Sequence, residues 1–376
     1  MSGRTGFLAA TAAAIAIAGC GGTGSGDGTG DAVVDTLILE VTDTIGVEEG
    51  DSCYVFGMIL KAAHGPDGSL LVLDMNRTRL SRYSPDGTFL GTIGAPGPGP
   101  GEFQMPMDFA VLTDGGIAVS DVISQTISRF DGSGAYLDQT GDFFPSAPMR
   151  IEGGPGGCLI GQHMPIEITG DRVTASVTIA RWPADSSTAD LTYFSLPMEM
   201  ESAGGGVVTG ESFPELDLAT GPDGSVYVVE ISDSLFSLLG FDASGAPTLS
   251  ISEPMDRVPL TREEIDAGAL GITVTISDGE ASAGMERMEN TDMWRNIVAS
   301  VGVDSLGRIW VEMACYDQPL FRVYDSSGTL LFVAVPDRDF PQVGRPAFRV
   351  DAGGILAYDR DPSDWPKIYQ LRLAEL

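Results

Sequence analysis

Carboxylates are the side chains in this sequence whose type and spacing could support chemistry. Asp74, Asp121, Glu230 and Asp359 each stand six residues after a glycine, at the end of a short apolar run. Such a carboxylate either caps the adjoining turn by accepting backbone N–H bonds, or joins a ring of acidic groups that holds a divalent cation. Both interpretations require the four apolar runs to be equivalent strands of a repeated unit.

A denser acidic cluster follows the last of these runs. Asp359, Asp361 and Asp364 lie in the sequence D-R-D-P-S-D. Calcium prefers carboxylate and carbonyl oxygens, so the three residues are candidate metal ligands, although the loop glycine and terminal glutamate of an EF-hand are missing. Calcium is the one cofactor that the sequence suggests.

Other catalytic chemistry finds little support. His64 and His163 are the only histidines, which disfavours a histidine dyad or a multi-histidine metal site. No G-x-S-x-G nucleophile motif occurs. Cys53, Cys158 and Cys315 are odd in number and show no zinc-type spacing, so buried thiols are expected, with a Cys53–Cys158 disulfide as the alternative.

The charge balance restricts the partners. The 376 residues include 53 Asp and Glu against 21 Lys and Arg, a net charge of −32. This argues against nucleic acid and anionic membrane surfaces as direct partners. The acidity favours solubility or salty surroundings, or alternatively a surface for cations and basic ligands. We expect a monomer.

The first 32 residues differ from the rest. Arg4 precedes a twelve-residue apolar run, residues 7–18, which is too short to span a bilayer of about 30 Å and is typical of a signal peptide. The run ends in Ile17-Ala18-Gly19-Cys20, which resembles the bacterial lipobox. Residues 1–19 are therefore predicted to be a lipoprotein signal peptide, Cys20 the lipidated residue, and residues 20–32 a flexible glycine-rich tether.

This resemblance implies a location. The lipid would anchor the chain in the bacterial cell envelope and would be its only membrane contact. Gly21 follows Cys20 in place of the aspartate that retains enteric lipoproteins at the inner membrane. The outer membrane, with the protein facing the periplasm or the cell surface, is therefore expected.

The apolar runs recur along the chain. Glycines at 68, 115, 156, 224, 307 and 353 each open such a run, the copies at 156 and 307 departing from the acidic ending. A second turn recurs at glycines 87, 134, 245 and 328. The shorter spacings fit one four-stranded propeller blade of roughly 40–50 residues, and the longer spacings require insertions.

Two sequence motifs resemble those of a known group of propeller proteins. I-G-x-x-G-x-G-P-G-E-F ends at Phe103, and D-G-x-L-x-V-x-D ends at Asp74. Both resemble bacterial six-bladed propellers of the NHL-repeat and TolB-like families, over residues 33–376. An all-β fold of six blades is implied. The glycines at 97, 99 and 101 suggest phosphate binding, but the intervening prolines lack the backbone donors it needs, so a connector that delivers Phe103 to the core is expected.

The predicted propeller has two further features, a closing strand near the start of the chain and an insertion between two blades. A strand at residues 37–42 has no blade of its own and should close the ring as the outer strand of the last blade. Residues 252–296 should form a helical insertion between blades four and five. One helix would start after Thr261, with Glu264 completing a capping box, and a second would span residues 280–297.

The leading hypothesis is a binding or scaffold module without catalysis, for a protein, peptide or carbohydrate partner. The alternatives are a calcium-dependent hydrolase or lactonase with its site on the propeller axis, and a structural envelope protein without a specific ligand. The insertion would be either a packed cap with no ligand role, or a lid or partner surface. The candidate binding residues are Asp74, Asp121, Glu230, Trp294 and Arg295.

Overall fold

The protein is described here by a computed structural model. It covers residues 34–143, 147–169, 172–198, 200–203, 206–209, 215–267, 269–277, 280–288, 293–341, 346–360 and 365–374. The predicted signal peptide, Cys20 and the tether lie outside the described residues, and so do Asp361 and Asp364.

The first half of the chain forms one leading strand and three antiparallel blades. Short 3-10 helices follow the second strand of the first blade and the first strand of the third, at Met75–Arg77 and Pro155–Gly157. The strands are β1 (Thr36–Ile45); β2 (Ile59–His64), β3 (Leu70–Asp74), β4 (Arg79–Tyr83) and β5 (Phe89–Ile93) of blade 1; the connector strands β6 (Ala95–Pro96) and β7 (Glu102–Phe103); β8 (Pro106–Val111), β9 (Ile117–Asp121), β10 (Thr126–Phe130) and β11 (Tyr136–Thr140) of blade 2; and β12 (Met149–Gly153), β13 (Leu159–His163), β14 (Ile166–Thr169), β15 (Arg172–Trp182) and β16 (Leu191–Met198) of blade 3.

The second half adds three blades and two hairpins. Its elements are the hairpin β17 (Met200–Ala203) and β18 (Gly206–Thr209); β19 (Glu215–Thr220), β20 (Val226–Ile231), β21 (Leu235–Phe241) and β22 (Pro247–Pro254) of blade 4; the insertion elements α1 (Arg262–Ala267), β23 (Ala269–Ser277) and β24 (Glu280–Met288); β25 (Val298–Val303), β26 (Ile309–Met313), β27 (Leu320–Tyr324) and β28 (Leu330–Pro336) of blade 5; and β29 (Ala347–Asp351), β30 (Gly354–Tyr358) and β31 (Ile368–Leu373) of blade 6.

The first strands of the blades form a closed ring around an axis. In turn, β2 contacts β8, β8 contacts β12, β12 contacts β19, β19 contacts β25, β25 contacts β29, and β29 returns to β2. Strands β3, β9 and β26 are buried along their whole length, because each blade packs on a neighbour through both of its faces. The predicted six-bladed β-propeller is confirmed.

Strand β1 closes the ring as predicted. Its second half pairs antiparallel with β31, from Leu39 opposite Leu373 to Ile45 opposite Ile368. Its first half also pairs in parallel with β28, with Thr36 opposite Val333. Blades 5 and 6 therefore share one eight-stranded sheet, a link that the sequence did not indicate.

The connector before blade 2 also matches its prediction. Phe103 is buried against Phe130, with ring centroids 5.8 Å apart. Gly94 has a φ of +70°, and a side chain at this position would meet the Phe103 ring. The glycines thus let the chain turn closely around the phenylalanine that it delivers to the core.

The two ends of the propeller differ. At one end, which we call the turn face, tight turns join first to second and third to fourth strands. Asp131 illustrates them: its Oδ1 accepts bonds from Ser133 N (2.8 Å), Ser133 Oγ (2.6 Å) and Ala135 N (3.0 Å), and Asp242 and Asp325 do the same. The serine hydroxyl is the main cause that lowers the pKa of Asp131. The opposite end, the loop face, carries the longer connections and the insertion.

The insertion corrects one prediction. Helix α1 forms with the predicted capping box, in which Thr261 N donates to Glu264 Oε2 (2.7 Å) and Glu264 N to Thr261 Oγ1 (3.2 Å). The prediction of a second helix over residues 280–297 was wrong. Half of those residues form β24, which pairs antiparallel with β23. Apolar residues alternate from Leu270 to Ile276, and Asp-Gly stands between the two strands, which is a hairpin pattern.

The three cysteines in the described part of the chain agree with the prediction of buried thiols, except that Cys53 is only partly buried. Cys158 and Cys315 are buried, Cys53 is half-buried, and no disulfide joins any of these three residues. Among the described residues, no helix is long and apolar enough to cross a membrane.

Shortening a buried side chain of β1 should test whether this strand stabilises the closed ring. Leu39 of β1 is fully buried among residues of blades 5 and 6, so Leu39→Ala should lower the free energy of unfolding by about 2–5 kcal/mol. The control is Ile38→Ala on the same strand, where the side chain is 38% exposed and the cost should stay below about 1 kcal/mol. Denaturant unfolding would measure both, and equal costs would contradict the closure role of β1.

Candidate functional site

The axis of the ring holds a compact group of charges, which we call the axial cluster: Lys61, Asp108, Glu152 and Arg349. Lys61 Nζ lies 2.9 Å from Asp108 Oδ1 and 3.2 Å from Glu152 Oε1. Arg349 donates both Nη atoms to the two oxygens of Glu152, at 2.6 Å each. These residues come from the first strands of blades 1, 2, 3 and 6; the first three are buried, and the side chain of Arg349 is 17% exposed.

The charges of the axial cluster support one another. Burial alone would raise the pKa of Glu152, but the charges of Arg349 and Lys61 lower it. Burial would likewise lower the pKa of Lys61 and of Arg349, and the carboxylates raise both. Burial raises the pKa of Asp108, yet its carboxylate faces Lys61 and accepts bonds from Phe109 N and Ile151 N, both at 2.7 Å. With three donors around it, we assign Asp108 as ionised at neutral pH.

Carboxylates also tie every second pair of neighbouring blades together. Asp108 of blade 2 accepts from Ile151 N of blade 3 (2.7 Å), and Asp217 of blade 4 accepts from Val301 N of blade 5 (2.9 Å). Asp351 of blade 6 accepts from His64 N of blade 1 (3.0 Å). His64 Nδ1 lies a further 2.8 Å from Asp351 Oδ1, so this histidine serves the joint between the last and first blades.

A second polar group lies toward the loop face. Arg150 is paired with Glu215 and, at 3.2 Å, with Asp217. Glu312 accepts a bond from Ser300 Oγ at 2.8 Å. Arg360 is exposed and lies over the Tyr358 ring at 5.7 Å, and Tyr358, followed by Asp217 and Glu312, raises its pKa. Cations thus accompany the carboxylates at this level as well.

This arrangement bears on the calcium alternative. A calcium site needs several oxygen ligands whose charge is available to the ion. In the axial cluster the ammonium of Lys61 and the guanidinium of Arg349 already contact Asp108 and Glu152 and would repel a second cation. Within the described ranges, no three His, Cys, Asp or Glu residues group in a way that could hold a metal ion. The axial residues do not fit a calcium ion.

The strand-end carboxylates mainly follow the capping interpretation. Asp74 accepts bonds from Gly57 N (2.9 Å) and Met58 N (3.1 Å), and Asp121 accepts from Gln104 N (2.6 Å) and Met105 N (2.8 Å). Both carboxylates are buried and therefore enclosed by the loops that they hold. Glu230 is half-buried near the end of β20.

Asp359 organises the last loop. Its Oδ2 accepts bonds from Lys367 N (3.1 Å) and Tyr369 Oη (3.2 Å), and its own N–H donates to the Lys367 carbonyl (3.0 Å). Asp359 therefore closes the base of the loop that contains the other two candidate calcium ligands. Their predicted role stays a prediction, because Asp361 and Asp364 lie outside the described residues.

The insertion places Trp294 and Arg295 in different environments. Arg295 is buried, with its Nε 2.9 Å from Glu264 and its Nη1 2.7 Å from Asp317 of blade 5, so it fastens the insertion to the ring. Trp294 is 38% exposed, and the guanidinium of Arg257 lies 5.9 Å from the centre of its ring. Of these two candidate binding residues, Trp294 is therefore partly exposed to solvent, whereas Arg295 is buried and attaches the insertion to blade 5.

Sequence reasoning missed the axial cluster. Its members lie up to 288 positions apart, from 61 to 349. A signal was present, because Lys61, Asp108 and Arg349 each stand in the middle of a short, mainly apolar strand. A charge at such a position needs a buried partner.

Neutralising Glu152 should reveal the strength of the axial cluster. Glu152→Gln removes the bidentate partner of Arg349 and one of the two carboxylates beside Lys61, so the free energy of unfolding should fall by about 3–5 kcal/mol at neutral pH. Because the folded pKa of Glu152 lies below its ordinary value of 4.5, its contribution is complete above pH 4.5 and disappears as the pH falls further. The difference between wild type and variant should therefore shrink in acid.

The control is Glu215→Gln, at a glutamate whose side chain is half exposed and paired with Arg150. Its effect should stay within about 1 kcal/mol. Denaturant unfolding between pH 3 and pH 7 would measure both variants. A Glu152 effect that equals the control, or that does not shrink in acid, would contradict a stabilising axial cluster.

Comparison with known proteins supports the fold. A family model described as a 6-bladed beta-propeller, DUF5128, matches residues 48–154. No curated protein matches the chain. The class that fold and axis define is thus a six-bladed β-propeller whose axis is filled by ion pairs. The resemblance to NHL-repeat and TolB-like propellers stays a prediction.

Solved structures give distant likenesses. A member of the duf4221 family from Bacteroides vulgatus is 9% identical, with 90% of this chain and 99% of that chain covered and a TM-score of 0.48. Regucalcin, a calcium-binding protein from Agrobacterium tumefaciens, is 10% identical, with 89% and 95% covered and a TM-score of 0.44. A gluconolactonase from Xanthomonas campestris is 12% identical, with 88% and 98% covered and a TM-score of 0.44. These likenesses carry no activity over to this chain.

Proposed function

We propose that the protein is a non-catalytic binding module of the bacterial cell envelope that recognises a protein partner through its loop face. The observation that carries the proposal is the exposed Trp294 on the insertion, with Arg257 against its ring and Met293 beside it. Trp, Arg and Met are the residues enriched at protein interfaces. An exposed tryptophan held by a buried arginine at its base is a rigid anchor.

The base of this surface is fixed to the ring. Leu260 N donates to the Met293 carbonyl (3.1 Å), and Arg295 N donates to the Val258 carbonyl (2.8 Å), so two segments of the insertion brace each other around Trp294. Ile297 N donates to the Ser232 carbonyl of blade 4 (2.6 Å). A partner that binds here meets a preorganised surface and loses little free energy to ordering it.

The surrounding charges indicate a basic partner. Asp233 pairs with Arg257 at 3.1 Å, and the side chains of Glu253 and Asp317 are largely exposed. With a net charge of −32 over the whole chain, the electrostatic field favours cationic surfaces. We therefore expect a protein or peptide with lysines or arginines around an apolar centre, in preference to a carbohydrate.

The anchor and the binding surface fall at opposite ends of the propeller in this proposal. The chain enters β1 beside Leu373, at the turn-face end of β31, whereas Ile45 lies beside Ile368 at the loop-face end. A tether of residues 20–33 would thus leave the propeller toward the turn face. If Cys20 carries the lipid, the loop face points away from the membrane and is accessible to partners.

A photo-crosslinking side chain at position 294 of the full-length protein should trap a discrete partner in cells that express the chain. The same side chain at position 306 is the control, because Leu306 is exposed on the turn face. Trp294→Ala should then weaken binding of the purified partner by about 2 kcal/mol, roughly 30-fold in Kd, and Leu306→Ala should leave it unchanged. Equal crosslinking at both positions, or none, would favour a structural protein without a specific ligand.

Calcium titration of the folded domain separates the proposal from a calcium-dependent hydrolase or lactonase. Because cations already occupy the positions beside the axial carboxylates, added calcium should bind without a defined stoichiometry and should leave the melting temperature unchanged. Calorimetry and thermal melting with calcium and with a chelator would measure this. One bound ion per chain, together with a rise in melting temperature, would move the hydrolase ahead.

A further inference from the structure

A cleft of about 630 Å³ opens between blades 2 and 3 near the turn face. One wall belongs to blade 2, and the other includes Ala184 and Asp185 of the turn at residues 183–190, which joins β15 to β16 in blade 3. This turn is longer than its equivalents at residues 84–88, 131–135, 242–246 and 325–329. The residues used below are Leu112, Asp114, Arg129, Leu137, Asp138 and Asp185.

Arg129 in this cleft is a buried cation without an ion pair. It is 7% exposed; its Nη1 donates to the Gly157 carbonyl (3.1 Å), and its Nε has no acceptor. Over the described part of the chain, no carboxylate pairs with it. Lys61 and Arg295 are equally buried, and each contacts two carboxylates. Because an unpaired buried charge lowers the stability of the fold, Arg129 is a candidate to bind an anion from solution.

The repeat shows what has changed at this position. In blade 1 the equivalent arginine is Arg82, whose Nη2 pairs with Asp67 (2.6 Å) and whose Nε donates to Ser69 Oγ (3.1 Å). In blade 2, Asp114 occupies the position equivalent to Asp67 but lies beyond ion-pair distance of Arg129. Gly116 stands where blade 1 has Ser69. The lost hydroxyl explains the Nε without an acceptor. The ion pair of blade 1 is thus separated in blade 2, and both of its members line the cleft.

The charges of the cleft define its ligand. A simple anion would meet Arg129 but would be repelled by Asp114, Asp138 and Asp185. A ligand with a carboxylate and ammonium groups satisfies both sets of charges. Leu112 and the 58% exposed Leu137 add apolar surface that suits a methylene chain.

We propose that this cleft binds a basic amino acid, free or at the end of a short peptide. Its carboxylate takes the place beside Arg129 that Asp67 takes beside Arg82 in blade 1. Its ammonium groups face Asp114 and the exposed carboxylates of the rim. The site lies on the turn face and is therefore independent of the partner surface around Trp294.

Calorimetric titration of the full chain with L-lysine tests the site, with cadaverine, which lacks the carboxylate, as the comparison ligand. L-lysine should bind at one site per chain, and cadaverine at least tenfold more weakly. Arg129→Gln should weaken L-lysine binding at least tenfold, whereas Arg82→Gln, at the equivalent position of blade 1, should leave it unchanged. L-lysine should raise the melting temperature of wild type and of Arg82→Gln only.

Two further measurements complete the test, and the first keeps it decisive even if Arg129→Gln folds poorly. Asp114→Asn retains an oxygen that can accept the Gly116 N–H bond (2.9 Å) and should weaken L-lysine binding several-fold, because an ammonium partner is lost. Without ligand, Arg129→Gln should melt at or above the wild-type temperature, since it removes an unpaired buried charge. No binding of L-lysine, equal binding of cadaverine, or unchanged affinity in Asp114→Asn would each overturn the proposal.

Discussion

A four-stranded blade has two apolar faces and can bury them only against neighbouring blades, so every blade depends on the closure of the ring. Strand β1 meets this requirement in an unusual way. It completes blade 6 through β31 and also extends the sheet of blade 5 through β28. One strand therefore supports two adjacent blades, and its pairing with β31 joins the first and last strands of the chain within blade 6. Its fully buried Leu39 packs in the core that these two blades share.

The axis shows how the ring is held at its centre. Six first strands converge there, and their backbone groups need partners that a neighbouring blade cannot supply through sheet pairing. Asp108, Asp217 and Asp351 accept backbone N–H bonds from the following blade, at alternate joints. Burying these carboxylates is costly unless cations accompany them. Lys61 and Arg349 supply that charge to the axial cluster, which therefore fastens the ring instead of leaving carboxylates available to a metal ion.

The fold could be predicted because its signals are local and repeated: a glycine turn, an apolar strand and a polar end recur in the same order, although insertions lengthen some of the intervals between them. Capping by Asp74 and Asp121 was predictable for the same reason. The axial cluster was not, because its members meet only after the ring has closed, and the stagger between blades decides which charges touch. The prediction of a second helix in the insertion was wrong for a different reason. A correct capping box at Thr261 favoured helix, whereas the alternation before the Asp-Gly pair specified a hairpin.

Departures from the repeat carry more information about function than the repeat itself. Where the blades agree, side chains cap turns and pair with fixed partners, as Arg82 pairs with Asp67. Where they differ, side chains are available to other molecules: Trp294 is exposed on the insertion, and none of the carboxylates that the structure describes lies within ion-pair distance of Arg129. A repeat thus serves as its own control, since each blade shows what an equivalent residue does when it only stabilises the fold. The two positions lie at opposite ends of the propeller, so a partner on the loop face and a small ligand on the turn face could bind at the same time.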